Sequence, residues 1–260
     1  MTNISLIITC YNSSLTIEII IKQILEIIKD NDEIVIVDDG STDNTTKIIK
    51  HIDDKRINLI CLGRVGRTKA LNTAIKNSKG KYLFINDADD IPSKVRFKES
   101  LKILENGYDA VFGQQMTVNN IDNSKIKIIN DNIERINRTK LEKLELLTKK
   151  LMFRTNSLTH STLGIKKDKF LEIGFYDENI EVSHDLDLYY RFIINNLKVC
   201  ISNRVFTGRS VGRSHWRNYN KYTTELLSVR KKYRHILKPS IFTYIYDIKI
   251  FIENIINFRK

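Results

Sequence analysis

The feature that most narrows what this chain can fold into is an alternation, four times over, of short apolar runs with segments of helical spacing. Ile4 to Thr9, Glu33 to Val37, Ile57 to Cys61 and Lys81 to Ile85 are brief runs rich in Ile, Val and Leu. Their near-continuous apolar character is that of strands buried on both faces. Between them, Thr16 to Ile28, Thr42 to His51 and residues 67 to 77 repeat their apolar positions at helical spacing. Strand and helix in regular alternation imply a parallel sheet built from right-handed βαβ units. Ligands of such sheets bind outside the carboxyl ends of the strands. The polar clusters that end the first, second and fourth runs are therefore expected to share one crevice.

Beyond residue 92 the pattern is less regular. It predicts a helix over Val95–Glu105, a strand over Ala110–Gln115, a polar irregular stretch to about residue 135 and an amphipathic helix over 139–152. A strand at Ser161–Ile165, a helix starting at Lys167, a helix over Asp185–Asn195 and a strand over Lys198–Ser202 follow. Residues 216–260 are basic and aromatic, with Ile and Tyr at helical spacing, and read as a helical C-terminal appendage to a domain spanning 1–215. Cys10, Cys61 and Cys200 lie far apart and in no CxxC spacing, which argues against a disulfide framework and a cysteine zinc site and favours a reducing, cytoplasmic setting. The opening residues lack the pattern of a signal peptide, and no uncharged apolar stretch of about 18 residues predicts a membrane span.

The residues able to carry chemistry sit where the strands end. Asp87-Ala88-Asp89-Asp90 crowds three carboxylates after a buried strand. A hard divalent cation relieves their repulsion, and oxygen ligands suit Mn2+ or Mg2+; Asp89 or Asp90 could instead cap the next helix. Asp38-Asp39 offers acceptors for a base N–H or a ribose hydroxyl, or serves as turn chemistry with Gly40 and Ser41. Gly63 to Lys69 (GRVGRTK) is a glycine-rich basic loop opening a helix, suited to a diphosphate, although it lacks the ending of a Walker A motif. Asp185 and Asp187 open a further helix, where either is a general base or a cap. A net charge of +12, from 43 Lys and Arg against 31 Asp and Glu, points to an anionic partner or to a solvated basic surface.

Taken together, these stretches resemble family 2 glycosyltransferases. SLIITCYNSS is similar to that family's first strand and turn. EIVIVDDGSTDNT matches its second, GRTKALNTAIKNSKGKYLFINDADD the segment leading into its DxD motif, and STLGIKKDKFLEIGFYDENIEVSHDLDLYYRF its acceptor side. The resemblance implies the GT-A fold, a Rossmann-like, mainly parallel α/β sheet flanked by helices. It divides the domain into a nucleotide-binding half of about residues 1–92 and an acceptor half of about 93–215. It implies inverting transfer of a sugar from a UDP- or dTDP-sugar to an acceptor hydroxyl, in bacterial surface polysaccharide or glycolipid synthesis. Thr9 and Tyr11 would line the nucleobase, with Tyr11 stacked on it; Asp39 would bond the base; Lys69 would approach the nucleotide. Asp87 and Asp89 would be the DxD pair, reaching ribose and metal (Mn2+ or Mg2+), and Asp185 the catalytic base.

Two departures from the family pattern stand out. His184 replaces the glutamate usual beside the base, and the QxxRW motif of processive members is missing. The expected partners are the nucleotide-sugar, a glycan or lipid-linked acceptor, and an anionic membrane at the inner face of the cell, held by Arg230, Lys231, Lys232 and Arg234. Nucleic acid is not an expected partner, since no recognition motif accompanies the charge. The rival readings are a Mg2+-dependent nucleotidyltransferase, which needs no Asp185, and a nucleic-acid-binding protein.

Overall fold

A computed structural model describes residues 3–119, 121–122, 124–139, 143–147, 158–211, 219–238 and 247–249. The first four strands are β1 (Ile4–Cys10), β2 (Glu33–Asp39), β3 (Ile57–Leu62) and β4 (Tyr82–Asp87). Between them lie α1 (Ile17–Leu25), α2 (Thr45–Lys50) and α3 (Arg67–Asn77). β1 pairs in parallel with β2 and β4, and β2 with β3, so the alternating pattern does make a parallel sheet. The chain continues through β5 (Asp90–Pro92), α4 (Arg96–Glu105), β6 (Ala110–Asn119), α5 (Ile126–Thr139), β7 (Leu144–Leu146) and a 3-10 turn at His160–Thr162. It ends in β8 (Gly164–Lys166), α6 (Lys167–Ile173), α7 (His184–Ile194), β9 (Val199–Val211) and α8 (Tyr219–Leu237). Across the sheet the order is β3-β2-β1-β4-β8-β6-β9-β5, with β7 also on β9. β8 runs antiparallel to both β4 and β6, which makes the sheet mixed.

Successive strand residues feed opposite faces. Ile7, Val35, Val37, Leu83 and Ile85 join a core with α3, α6, α7 and α8, while Leu6, Ile8, Ile34, Ile36 and Phe84 join a second with α1, α4 and α5. Both faces being covered is why the runs are apolar throughout rather than alternating. β1 and the start of β4 approach so closely at Gly80 that a Cβ there would lie 2.5 Å from the Ser5 backbone nitrogen.

Several expectations for the second half need correction. The stretch to residue 135 is not irregular: α5 occupies 126–139, with Ile129 and Ile133 buried on one face. The helix expected over 139–152 is not formed at 144–146, where β7 pairs antiparallel with Ser202, Ile201 and Cys200 of β9; the rest of that helix lies largely outside the described residues. β5 went unforeseen, and β9 is far longer than Lys198–Ser202 because its outer half pairs with β5 and β6. Ser214 to Arg217 also lie outside the described residues. Among the described residues no helix is long and apolar enough to cross a membrane.

The expected membrane patch is corrected as well. Arg230 is buried and ion-paired with Asp247 at 2.5 Å, Arg234 pairs with the same carboxylate at 2.8 Å, and Lys232 pairs with Asp187 at 2.9 Å. These cations dock α8 within the protein, whereas Lys231 is exposed and makes no such bond among the described residues.

Candidate active site

The register of the parallel strands aligns their carboxyl ends. Thr9 is level with Asp87 of β4 on one side and with Val37 of β2 on the other, so the acids after both strands open on the same edge. The Tyr11-Asn12 turn is held to the loop after β2. Asn12, in the left-handed region at φ 51, accepts from the Thr42 amide at 2.8 Å, and its own amide donates to Ser41 Oγ at 2.9 Å.

Asp38 and Asp39, being adjacent on a strand, point to opposite sides and do different work. Buried Asp38 ties off its own turn, accepting from the Ser41 amide at 3.1 Å and hydroxyl at 2.5 Å, and from Thr46. Asp39 faces the glycine-rich loop: it accepts from the Val65 amide at 2.7 Å, the Gly66 amide at 3.2 Å and the Arg64 guanidinium at 2.7 Å. Gly40, at φ 75, permits that approach, since a Cβ would lie 2.8 Å from the Arg64 nitrogen. The same Arg64 lies over the Tyr11 ring, 3.4 Å from its centroid. The two groups expected to hold a nucleobase thus hold a planar cation.

At the end of β4, Asp87 forms an ion pair with Arg67. Burial opposes the charge of Arg67, but Asp87, with Asp89 and Asp185 close enough to add their fields, outweighs it and raises the guanidinium's pKa. The guanidinium thus feels the acid after β4 directly and the acid at the start of α7 through its field. Its Nε is buried with no hydrogen-bond partner among the described residues. The expectation for this loop fell on Lys69, which is exposed. The signal that distinguishes them was in the sequence: Arg67 stands three and four positions before the buried Ala70 and Leu71, on the inward face of α3, and Lys69 two positions round the helix.

Asp90 plays a different part from its neighbours. It is buried, accepts from the Ser161 hydroxyl and from the Ser210 amide at 3.3 Å, and burial followed by the charge of Asp87 pushes its pKa up to about 8. Asn86 donates to the carbonyls of Asp87 and Asp90 at 2.8 and 2.9 Å, and buried Arg96 donates to Asn86 Oδ1 at 2.7 Å. This network fixes the backbone that carries Asp87 and Asp89. Burial pulls the Arg96 guanidinium down to about 9.

The segment around residues 176–185 is tied to the crevice by α3. Thr68 donates to the Ile180 carbonyl at 2.7 Å, and Asn72 exchanges hydrogen bonds with the Tyr176 backbone at 2.9 and 3.0 Å. Half-buried Asp185 lies in the first turn of α7, next to His184. The His184 ring stacks edge-on against His160 and Tyr176 at 5.4 and 5.7 Å, and its Nδ1 donates to the Glu181 carbonyl at 3.0 Å. Burial, then the positive charge of Arg67, holds His184 below its usual pKa, so the ring is neutral and its Nε2 is an acceptor. Asp187, by contrast, is buried against Arg191 and the Lys232 and Tyr233 side chains of α8, which makes it a docking group.

Among the described residues no three His, Cys, Asp or Glu side chains converge as a ready-made metal cage. Mg2+ and Mn2+ bound with a phosphate substrate need only one or two carboxylates, the other ligands being phosphate and water. Asp89 with Asp87 beside it fits that donor set.

The sequence model described as glycosyl transferase family 2 matches residues 5–163 of this chain. That span includes Thr9, Tyr11, Asp39, Lys69, Asp87 and Asp89, while Asp185 lies beyond it. An uncharacterized glycosyltransferase of Rickettsia prowazekii is 28% identical over 262 residues, covering 96% of this chain and 80% of its own length. The UDP-Glc:alpha-D-GlcNAc-diphosphoundecaprenol beta-1,3-glucosyltransferase WfaP of Escherichia coli is 38% identical over 113 residues, 40% of this chain and 44% of that enzyme. Among solved structures, a mannosyltransferase from Pyrobaculum calidifontis in complex with GDP-Man and Mn2+ superposes with a TM-score of 0.67 at 17% identity, covering 95% of this chain and 71% of that one. The chain therefore spans less than half of one of the curated relatives it matches and most of the other.

Proposed function

This chain belongs to glycosyl transferase family 2 and has the GT-A fold, and we propose that it moves one sugar from a nucleotide-sugar to an acceptor hydroxyl with inversion. The observation that supports this reading is the strand register that brings Thr9, Asp87 and the turn after β2 to one edge of the sheet, with Asp87 ion-paired to Arg67. Asp185, whose charge is also felt at that guanidinium, is the candidate base on the acceptor side.

The nucleobase would stack on Tyr11 beside Thr9, with Asp39 accepting a base N–H such as the N3–H of uracil or thymine; Arg64 has to move aside first. Asp87 faces the ribose, and the Arg67 guanidinium beside it supplies positive charge near the diphosphate. Mn2+ or Mg2+, held by Asp89 with Asp87, would supply Lewis-acid neutralisation of the leaving diphosphate when bound. Asp185 accepts the proton of the acceptor hydroxyl as that oxygen bonds to the anomeric carbon and the bond to the diphosphate breaks. One displacement with one base inverts the configuration.

The donor names borne by relatives, UDP-glucose in one and GDP-mannose in another, support a nucleoside diphosphate sugar. The diphosphoundecaprenol acceptor of the first supports a lipid-linked glycan acceptor in surface polysaccharide synthesis. Such an acceptor would bring the enzyme to the cytoplasmic membrane face. Peripheral contact there would rest on exposed cations such as Lys231, since Arg230, Lys232 and Arg234 are engaged.

Binding and turnover of a panel of UDP-, dTDP- and GDP-sugars, with Mn2+ and with EDTA, tests the reading. We expect metal-dependent binding of a UDP- or dTDP-sugar, lost in Asp89→Ala, and no turnover in Asp185→Asn. Binding with full turnover in Asp185→Asn would favour the nucleotidyltransferase instead.

A further inference from the structure

At the start of α7 the Leu186 amide is taken locally, by Asp185 Oδ1 at 2.7 Å, but the amides of the preceding turn are taken from elsewhere in the fold. Ser183, at the N-cap position, makes no side-chain capping bond. The acceptor comes from a different helix: Glu225 of α8 takes the Val182 amide at 2.7 Å and the Ser183 amide at 3.0 Å on Oε2, and the Glu181 amide at 3.4 Å on Oε1. Successive N–H groups on one carboxylate, at the positive end of a helix, make a charge-assisted anchor. One turn earlier on α8, Lys221 pairs with the Glu181 side chain. Further along α8, Lys232 and Tyr233 hold Asp187 at 2.9 and 2.8 Å. Asp185 lies between these two anchors, two residues after Ser183 and two before Asp187.

We propose that Glu225 is a positioning residue for Asp185, which makes α8 part of the acceptor side of the active site. The inference rests on the reading of Asp185 as base. Glu225 touches no reacting atom; it fixes the backbone from which Asp185 projects and the Glu181 carbonyl that orients His184. A displacement of the base by about 1 Å is enough to cost roughly a hundredfold in rate. Among the described residues the Glu225 carboxylate bonds to the amides of residues 181–183, on the side of the crevice away from the β1 and β2 turns, so donor binding and turnover are expected to separate.

The test uses the full chain and its Glu225→Ala, Glu225→Gln and Asp185→Asn variants. Amide exchange at residues 181–185 is followed together with the Kd of UDP in Mn2+ and turnover of the best UDP-sugar of the panel. In Glu225→Ala, exchange at Val182 and Ser183 should accelerate by about tenfold or more, and kcat fall by a similar factor, with the UDP Kd within about twofold of the parent. Glu225→Gln keeps an oxygen acceptor but gives up the negative charge, so it should recover part of the rate, with exchange at Val182 and Ser183 between those of the parent and Glu225→Ala; it is read alone if the alanine variant does not fold. Unchanged exchange at Val182 and Ser183 in Glu225→Ala, or in Glu225→Gln when that variant is read alone, overturns the proposal. So does parental turnover in Glu225→Ala when Asp185→Asn is inactive, an outcome that leaves the reading of the base intact. Parental turnover in Asp185→Asn removes that reading, and the proposal with it.

Discussion

Arg64 stacks on Tyr11 and pairs with Asp39, so a nucleobase arriving at these two groups has to displace a guanidinium. The Arg64 side chain is 57% exposed, which keeps the cost small. An exposed cation–π contact contributes about 0.5–1 kcal/mol, and an exposed ion pair adds at most a similar amount. Asp39 keeps its two backbone donors, Val65 and Gly66, without the arginine, so its orientation survives the loss. Arg64→Ala is therefore expected to tighten UDP binding about fivefold, as removal of about 1 kcal/mol of competition implies. Calorimetric titration with UDP decides it, and weaker binding in the variant would mean that Arg64 clamps the base rather than competing with it.

At the scale of elements, the junction of α7 and α8 turns on Asp187, which is 1% exposed and accepts from Arg191 Nε at 3.0 Å, Lys232 Nζ at 2.9 Å and Tyr233 Oη at 2.8 Å. Removing one partner of a buried ionic network leaves the others desolvated and unmatched, at a cost of about 3–5 kcal/mol. Lys232 is half-exposed and can return to water, so the lower end applies. Asp187→Ala should lose about 3 kcal/mol of stability, read from the midpoint of urea unfolding. Asp187→Asn, which keeps an acceptor, should lose less. A midpoint unchanged in Asp187→Ala would show that apolar contacts such as Tyr190 on Tyr233, with centroids 5.4 Å apart, hold the helices together without the carboxylate.

Across the whole molecule, stability should depend on pH through the histidine pair beneath the crevice. Burial, then His184 and Arg67, holds His160 well below its ordinary pKa, against a weaker opposite pull from Asp87. Tyr176 is its hydrogen-bond partner at 2.8 Å. The unfolded chain then takes up a proton near pH 6.5 that the folded chain refuses. Stability contributed by the neutral ring is complete above that pH and is lost as pH falls below it. Asp90 works the other way, because its raised pKa favours the fold at low pH and the advantage fades as pH rises toward about 8. The parent and His160→Gln should therefore be compared at pH 7 and pH 5.5. The drop in unfolding midpoint on acidification should be smaller in the variant, and an equal drop would assign the dependence elsewhere.

The parallel half of the fold was legible because buried strands and helical spacing are local patterns, written wherever both faces of a sheet are covered. The acids at the strand ends were legible for the same reason, since the end of an apolar run tells where the chain leaves the sheet. Helix α5 was legible in principle, with Ile126, Ile129 and Ile133 at helical spacing, but its Asn and Asp content obscured it. The three-residue strands β5 and β7 had no such signal, because each exists through its pairing with β9. Which charges meet was likewise beyond the reach of spacing. Arg67 finds Asp87, Asp90 finds Ser161 and Ser210, and Glu225 finds the Glu181, Val182 and Ser183 amides only once the chain has closed on itself. Periodicity records what each residue faces within its own element, whereas a hydrogen bond between residues far apart in the chain depends on how the elements are brought together.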